Sequence, residues 1–308
     1  MAALPGGDGP STNGRPAAVG DAVRRTAATP PLRVFAESAL RGIMPLPMSD
    51  WKAPHRTWII GHRGAPRRAR ENTIASFDFA ESFGADGVEL DVRQTRDGEA
   101  VLFHDEEILL GTQRLPVRTF TWREIEKLVI PSEFGEYRIP KLEQVFHRYG
   151  TALRYIVEVK TTPGMQMGTM ARRIAKLASA FGVASRCLVA SFDAEFAKRM
   201  REAAPELATS YIFAHPVALP APGQPAPLFP PVDAIAPRHD LVTPALLAQA
   251  AAANLSVHPW TVDEAGEVRR LLAARVGSIT TNAPDVALEI RDGTEVHETG
   301  LALPTPGE

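Results

Sequence analysis

Internal disulfides are excluded, because Cys187 is the chain's single cysteine. Its neighbours Leu188 and Val189 are apolar, so a buried structural thiol is expected rather than a nucleophile. Charge of one sign is not in excess: 34 basic and 36 acidic residues leave a formal net charge of −2. No basic run is interleaved with aromatics, so neither nucleic acid nor an anionic membrane is an expected partner. No apolar run is long enough to span a bilayer, and no membrane span is expected. The N-terminus lacks the charged start and apolar core of a secretory signal, which makes a cytoplasmic location the expectation. A glycine-rich phosphate fingerprint is missing after the first strand-like run, which counts against a doubly wound open sheet.

What is present centres on Gly87 to Asp105. Val88, Leu90 and Val92 alternate with Glu89, Asp91 and Arg93, a two-residue period that predicts a β-strand. Successive side chains leave a strand on opposite faces, so Glu89 and Asp91 share one face. Two carboxylates side by side repel unless something positive lies between them, and a divalent cation with hard oxygen ligands is the simplest such partner. Asp97-Gly98 reads as a turn, and Val101-Leu102-Phe103 returns as a short extended run that brings His104 and Asp105 back beside the carboxylates.

Along the chain, residues 1–50 are expected to be mostly disordered, since the Ala, Gly and Pro-rich start cannot bury enough surface to offset its ordering entropy. One or two helical turns are conceivable at Val34 to Leu40. Strands are predicted at 57–60, 87–92, 155–160, 187–190, 208–213, 232–236, 255–261 and 276–280, with helical periodicity between most of them. Asp105 to about Ile139 lacks regular periodicity apart from a helical patch at Trp122 to Leu128, and reads as an insertion over the mouth of the site. Proline-rich 214–231 reads as a loop in place of a helix. Eight alternating βα units predict a (β/α)8 TIM barrel over residues 56–291, with a short insertion after the second strand and a loose tail at 292–308. A doubly wound sheet is the alternative.

A parallel barrel builds its site at the carboxyl ends of its strands. His62 and Arg63 follow the first predicted strand, Glu89 and Asp91 lie in the second, and Glu158 and Lys160 end the third, again two apart. Trp260 ends the seventh, and Thr281-Asn282 follow the eighth. Glu71 is expected to serve a helix N-terminus. His258 is expected to be structural, and His55, His147, His215, His239 and His297 to be surface residues.

Together these motifs resemble the glycerophosphodiester phosphodiesterase family. The resemblance is carried by His62-Arg63-Gly64, Glu71-Asn72-Thr73, Glu89-Leu90-Asp91-Val92, Asp97-Gly98 before His104-Asp105, Ile139-Pro140-Lys141-Leu142-Glu143, Glu158-Val159-Lys160, Trp260-Thr261-Val262 and Thr281-Asn282-Ala283-Pro284. It implies hydrolysis of a small glycerophosphodiester to an alcohol and glycerol 3-phosphate. It further implies that Glu89, Asp91 and Glu158 hold Mg²⁺ or Ca²⁺, that His62 and His104 form an acid/base pair, that Arg63 and Lys160 contact phosphate, and that Trp260 flanks the glycerol. Those roles are physically coherent. A cation offsets the carboxylates and polarises a phosphoryl oxygen, arginine grips two oxygens as a fork, and two imidazoles can move two protons. Two other readings stand beside it: the same barrel acting on lysophospholipids or sphingolipids, and a non-catalytic phosphate-binding barrel.

Overall fold

A computed structural model of the chain describes residues 51, 55–220 and 229–293. The expected N-terminal tail, its helical turns, the middle of the proline-rich loop and nearly all of the C-terminal tail lie outside these residues.

Eight strands form one parallel sheet: β1 (Trp58–Gly61), β2 (Gly87–Gln94), β8 (Arg154–Val159), β9 (Cys187–Ser191), β10 (Ala208–Phe213), β11 (Ala234–Pro237), β12 (Ser256–Val257) and β13 (Ser278–Thr281). The ladder runs β12-β11-β10-β9-β8-β2-β1-β13. The remaining gap is bridged by backbone bonds from Gly277 N to Val257 O (2.8 Å) and from Val262 N to Thr280 O (2.9 Å). The result is the expected TIM-type barrel. Seven helices surround it: α1 (Ile74–Ser82), α3 (Leu142–Tyr149), α4 (Met167–Ala180), α5 (Ala194–Ala203), α6 (Pro244–Ala252), α7 (Ala265–Ala273) and α8 (Pro284–Asp292). The β10–β11 connection has no helix among its described residues, 214–220 and 229–233.

Strand alternation decides what goes where. On β2, Val88, Leu90 and Val92 face outward into an apolar layer with Phe77 of α1, Phe146 of α3 and Ile174 of α4. Each such fully buried side chain contributes roughly 1.5–3 kcal/mol. Trp58, Ile60, Ile156, Leu188, Ile212 and Ala236 fill the barrel interior with Trp51, whose ring meets Trp58 edge-on at 4.9 Å.

Three details depart from the sequence reading. The insertion is more regular than expected. After β3 (Ala100–Leu102) it folds as two antiparallel hairpins, β4 (Glu107–Leu110) with β5 (Gln113–Pro116) and β6 (Ile130–Ser132) with β7 (Gly135–Tyr137), around a one-turn helix α2 (Trp122–Ile125). Strands of three or four residues are too short to show a period, and their support is a separate small core of Val101, Phe103, Ile108, Val117, Ile125, Ile130 and Ile139. The predicted strand at 255–261 shrinks to two residues, because Pro259 has no N–H to extend the ladder. The last helix runs on to Asp292, where Arg291 pairs with both Asp86 and Asp292.

Candidate active site

The loop after β1 turns sharply. Gly61 allows it, since a Cβ there would lie 2.1 Å from the Gly64 carbonyl oxygen. Arg63 itself sits at φ +54°, a left-handed conformation that aims its backbone N–H at Glu89 Oε2, 2.9 Å away. The Arg63 guanidinium then spreads over two carboxylates, with Nε 3.0 Å from Asp91 Oδ2 and Nη1 donating to Glu71 Oε2 at 2.9 Å. Glu71 is therefore a partner of Arg63, and Thr73 caps α1 instead by accepting from Ser76 N.

The inward positions of β2 and β8 bring Glu89, Asp91 and Glu158 together, as their strand period required. Asp91 and Glu158 are register partners, and one oxygen from each of the three carboxylates lies within 4.8 Å of the others. All three side chains are buried. Glu89 Oε1 accepts no hydrogen bond. Lys160 Nζ faces Asp91 Oδ1 at 3.1 Å and also contacts Glu158 Oε1. Three negative groups thus face two positive ones, Arg63 and Lys160. Burial, with Asp91 and Glu158 beside it, pushes the Glu89 carboxyl well above its ordinary value. Burial raises Glu158 as well. Burial would also raise Asp91, but Lys160, Arg63 and the Asn72 amide hold it below the usual range. Three buried carboxylates converging from two strands, with Glu89 Oε1 free of any hydrogen bond, fit a hard divalent cation. These three residues could hold one.

Asn72, the middle residue of Glu71-Asn72-Thr73, is buried against Asp91. It sits at φ +56°, donates from Nδ2 to Asp91 Oδ2 (2.8 Å) and accepts from Asp91 N at Oδ1 (3.0 Å). It fixes both the carboxylate and the strand that carries it.

The two histidines approach from different sides. His62 Nε2 lies 3.8 Å from Glu89 Oε2, and its Nδ1 is 2.7 Å from Asn282 Oδ1. Burial and the neighbouring Arg63 lower the His62 pKa. Asn282 Nδ2 donates to Asp263 Oδ2 at 2.7 Å, while Asp263 Oδ1 accepts from Asn282 N and Thr281 Oγ1. Asp263 was not anticipated, although it lies only three positions after Trp260. His104 follows β3, which pairs antiparallel with β2, and Phe103 N donates to Asp91 O at 3.0 Å. The His104 ring lies 2.8 Å from Asp105 Oδ1 through Nδ1 and is 37% exposed.

Trp260 stands half-buried at the mouth, with Nε1 donating to Ala236 O at 2.8 Å. Phe192, which no sequence pattern marked, meets it edge-on at 5.4 Å and is 44% exposed. His258 is buried far from the carboxylates in sequence, between Ser278 Oγ (2.9 Å) and Ser256 Oγ (3.0 Å) and against Trp51. That is the structural role expected of it.

The model of the glycerophosphoryl diester phosphodiesterase family matches residues 62–286. A glycerophosphodiester phosphodiesterase of Caldanaerobacter subterraneus is 30% identical over 241 residues, 76% of this chain and 98% of the relative. The chain belongs to this family. A second family member, from Bacillus subtilis, is 27% identical over 259 residues, 78% of this chain and 88% of its own. The crystal structure of a family member from Agrobacterium tumefaciens superposes with a TM-score of 0.62 at 24% identity, covering 75% of this chain and 98% of that one. An Oleispira antarctica phosphodiesterase, solved with its product sn-glycerol-3-phosphate, superposes with a TM-score of 0.62 at 20% identity over 77% of this chain and 97% of its own. These structures share the barrel. No described helix is long and apolar enough to cross a membrane.

Proposed function

We propose that this family member hydrolyses small glycerophosphodiesters to an alcohol and glycerol 3-phosphate. Residues 56–291 form the catalytic unit, Glu89, Asp91 and Glu158 hold Mg²⁺ or Ca²⁺, and His62 and His104 move the protons. The observation that carries the reading is the buried convergence of three carboxylates within 4.8 Å of one another, with His62 beside Glu89 and His104 following Phe103, whose N–H bonds the Asp91 carbonyl. Bound there, the cation would polarise a phosphoryl oxygen and offset the carboxylates' charge.

The chain's own groups do the rest. Asp263 only accepts hydrogen bonds, so Asn282 must turn its NH₂ toward it and its Oδ1 toward His62. His62 Nδ1 therefore carries the hydrogen, and Nε2 on the Glu89 side is the atom that takes or gives the catalytic proton. Arg63 and Lys160 line the same cluster and supply positive charge to the phosphate. Trp260 bounds the glycerol side.

A second substrate class, lysophospholipids, is favoured by one observation: Phe192 presents an exposed aromatic face beside Trp260 at the mouth. A panel of glycerophosphodiesters and lysophospholipids, with products followed by ³¹P NMR on metal-loaded protein, separates the two. Glycerol 3-phosphate from glycerophosphocholine supports the first reading. Lysophosphatidic acid from lysophosphatidylcholine alone supports the second, and no phosphate monoester from any member of the panel overturns both.

A further inference from the structure

Arg93 is the next inward position after Glu89 and Asp91 on β2, and it is 9% exposed. Among the described residues, its guanidinium forms no ion pair with a carboxylate within 4 Å. Nε at 3.0 Å and Nη2 at 2.6 Å both donate to a single oxygen, the main-chain carbonyl of His104, while Nη1 is buried with no hydrogen-bond partner. The acidic groups Glu106, Asp91, Asp105 and Glu158 supply the surrounding countercharge.

The place of that clamp matters. The β2–β3 ladder ends at the pair Val92 and Leu102, and the bond from Phe103 N to Asp91 O is the last main-chain tie before His104. His104 is thus the point where the chain leaves the sheet. Its ring is held by Asp105, whose side chain is 65% exposed, and an exposed pair of neighbours is a weak anchor. The buried anchor at this residue is the fork from Arg93. A carbonyl fixed by two donors fixes the peptide plane, and with it the direction in which the Cα–Cβ bond carries the imidazole.

We propose that Arg93 is a positioning residue that sets the His104 imidazole against the Glu89–Asp91–Glu158 cluster by clamping the His104 carbonyl. The inference rests on the proton-transfer role proposed above for His104. Holding a reacting group in place is worth much of a rate: a misplacement of about 1 Å costs on the order of 100-fold. Arg93 is bonded to the main chain of His104, so a positioning role predicts that its loss falls on kcat and leaves KM in place.

The test is steady-state hydrolysis of glycerophosphocholine by metal-loaded wild type, Arg93→Met, Arg93→Gln, His104→Ala and the double variant Arg93→Met/His104→Ala, each checked for folding by circular dichroism. Arg93→Met is expected to lose roughly 10- to 100-fold in kcat with KM little changed. Arg93→Gln is expected to recover most of that loss, because a carboxamide donates one N–H to the same carbonyl. The double variant is expected to be no slower than His104→Ala alone, since the two residues act as one unit. Wild-type kcat in a folded Arg93→Met protein overturns the inference, as does a raised KM at constant kcat, which would make Arg93 a substrate contact. A double variant slower than His104→Ala by the full Arg93→Met factor overturns it too, by showing that Arg93 acts elsewhere. Should Arg93→Met fail to fold, Arg93→Ser, which leaves room for water beside Glu106, is read in the same way. Wild-type activity in His104→Ala would instead remove the underlying role of His104, and is distinguishable from every other outcome.

Discussion

His62 and Asn282 stand 220 residues apart in the chain and meet at 2.7 Å, because β1 and β13 are register partners in the barrel. The Asp263 carboxylate behind Asn282 makes the contact directional. Outer hydrogen-bond partners of this kind typically govern activity by about 10- to 100-fold. Asn282→Ala should therefore lower kcat by roughly that factor. Asp263→Asn should do the same by permitting the Asn282 amide to turn over and present the wrong group to Nδ1. In both variants the far-UV spectrum should remain that of wild type. Unchanged kcat in both would show that the His62 tautomer is set by something else.

The carboxylate cluster predicts two opposite effects on stability. Mg²⁺ or Ca²⁺ at about 100 times its dissociation constant should stabilise the wild-type fold by roughly 2.7 kcal/mol, visible as a rise in Tm that chelation reverses. Glu89→Gln should largely lose that rise. Yet it should melt higher than wild type when both are metal-free, since it removes a buried carboxyl crowded by Asp91 and Glu158 while still accepting from Arg63 N. Differential scanning fluorimetry with and without chelator reads both.

His258 predicts how stability varies with pH. In the fold, burial lowers its pKa from 6.5 to about 4. Between those values the unfolded chain takes up a proton that the folded chain does not. Stability is therefore fully present above pH 6.5 and is lost as pH falls toward 4, by an amount on the order of 3 kcal/mol from this residue. Urea unfolding at pH 7 and pH 4.5 should show a steeper loss in wild type than in His258→Gln, whose side chain cannot charge. Parallel losses would remove His258 as the cause.

Much of the candidate site is legible in the sequence. Glu89 with Asp91 and Glu158 with Lys160 each follow a two-residue period, and a strand converts that spacing directly into a shared face. The barrel was legible for a related reason, as eight apolar runs alternated with helical periods. What stayed hidden depends on contacts between distant segments or on short pieces. Asn72 grips Asp91 from 19 positions away and Asp263 orients Asn282 from 19 positions away, and neither distance matches any local period. A negative charge is favoured at a helix N-terminus, which is the role the sequence suggests for Glu71, whereas the left-handed turn at Arg63 swings a guanidinium onto it. Phe192 is a lone aromatic between a strand and a helix, and its pairing with Trp260 exists only once the barrel closes. The insertion's hairpins are held by seven apolar residues spread over 39 positions, too sparse to show in any window.

The most direct test is the rate of glycerol 3-phosphate release from glycerophosphocholine as metal-stripped protein is titrated with Mg²⁺ or Ca²⁺, in wild type and in Glu158→Gln. Wild type should rise from near zero along a saturable curve, and Glu158→Gln should stay near zero at the wild-type saturating concentration. A full rate from stripped wild type, or an unaltered curve in Glu158→Gln, would contradict a cation held by Glu89, Asp91 and Glu158.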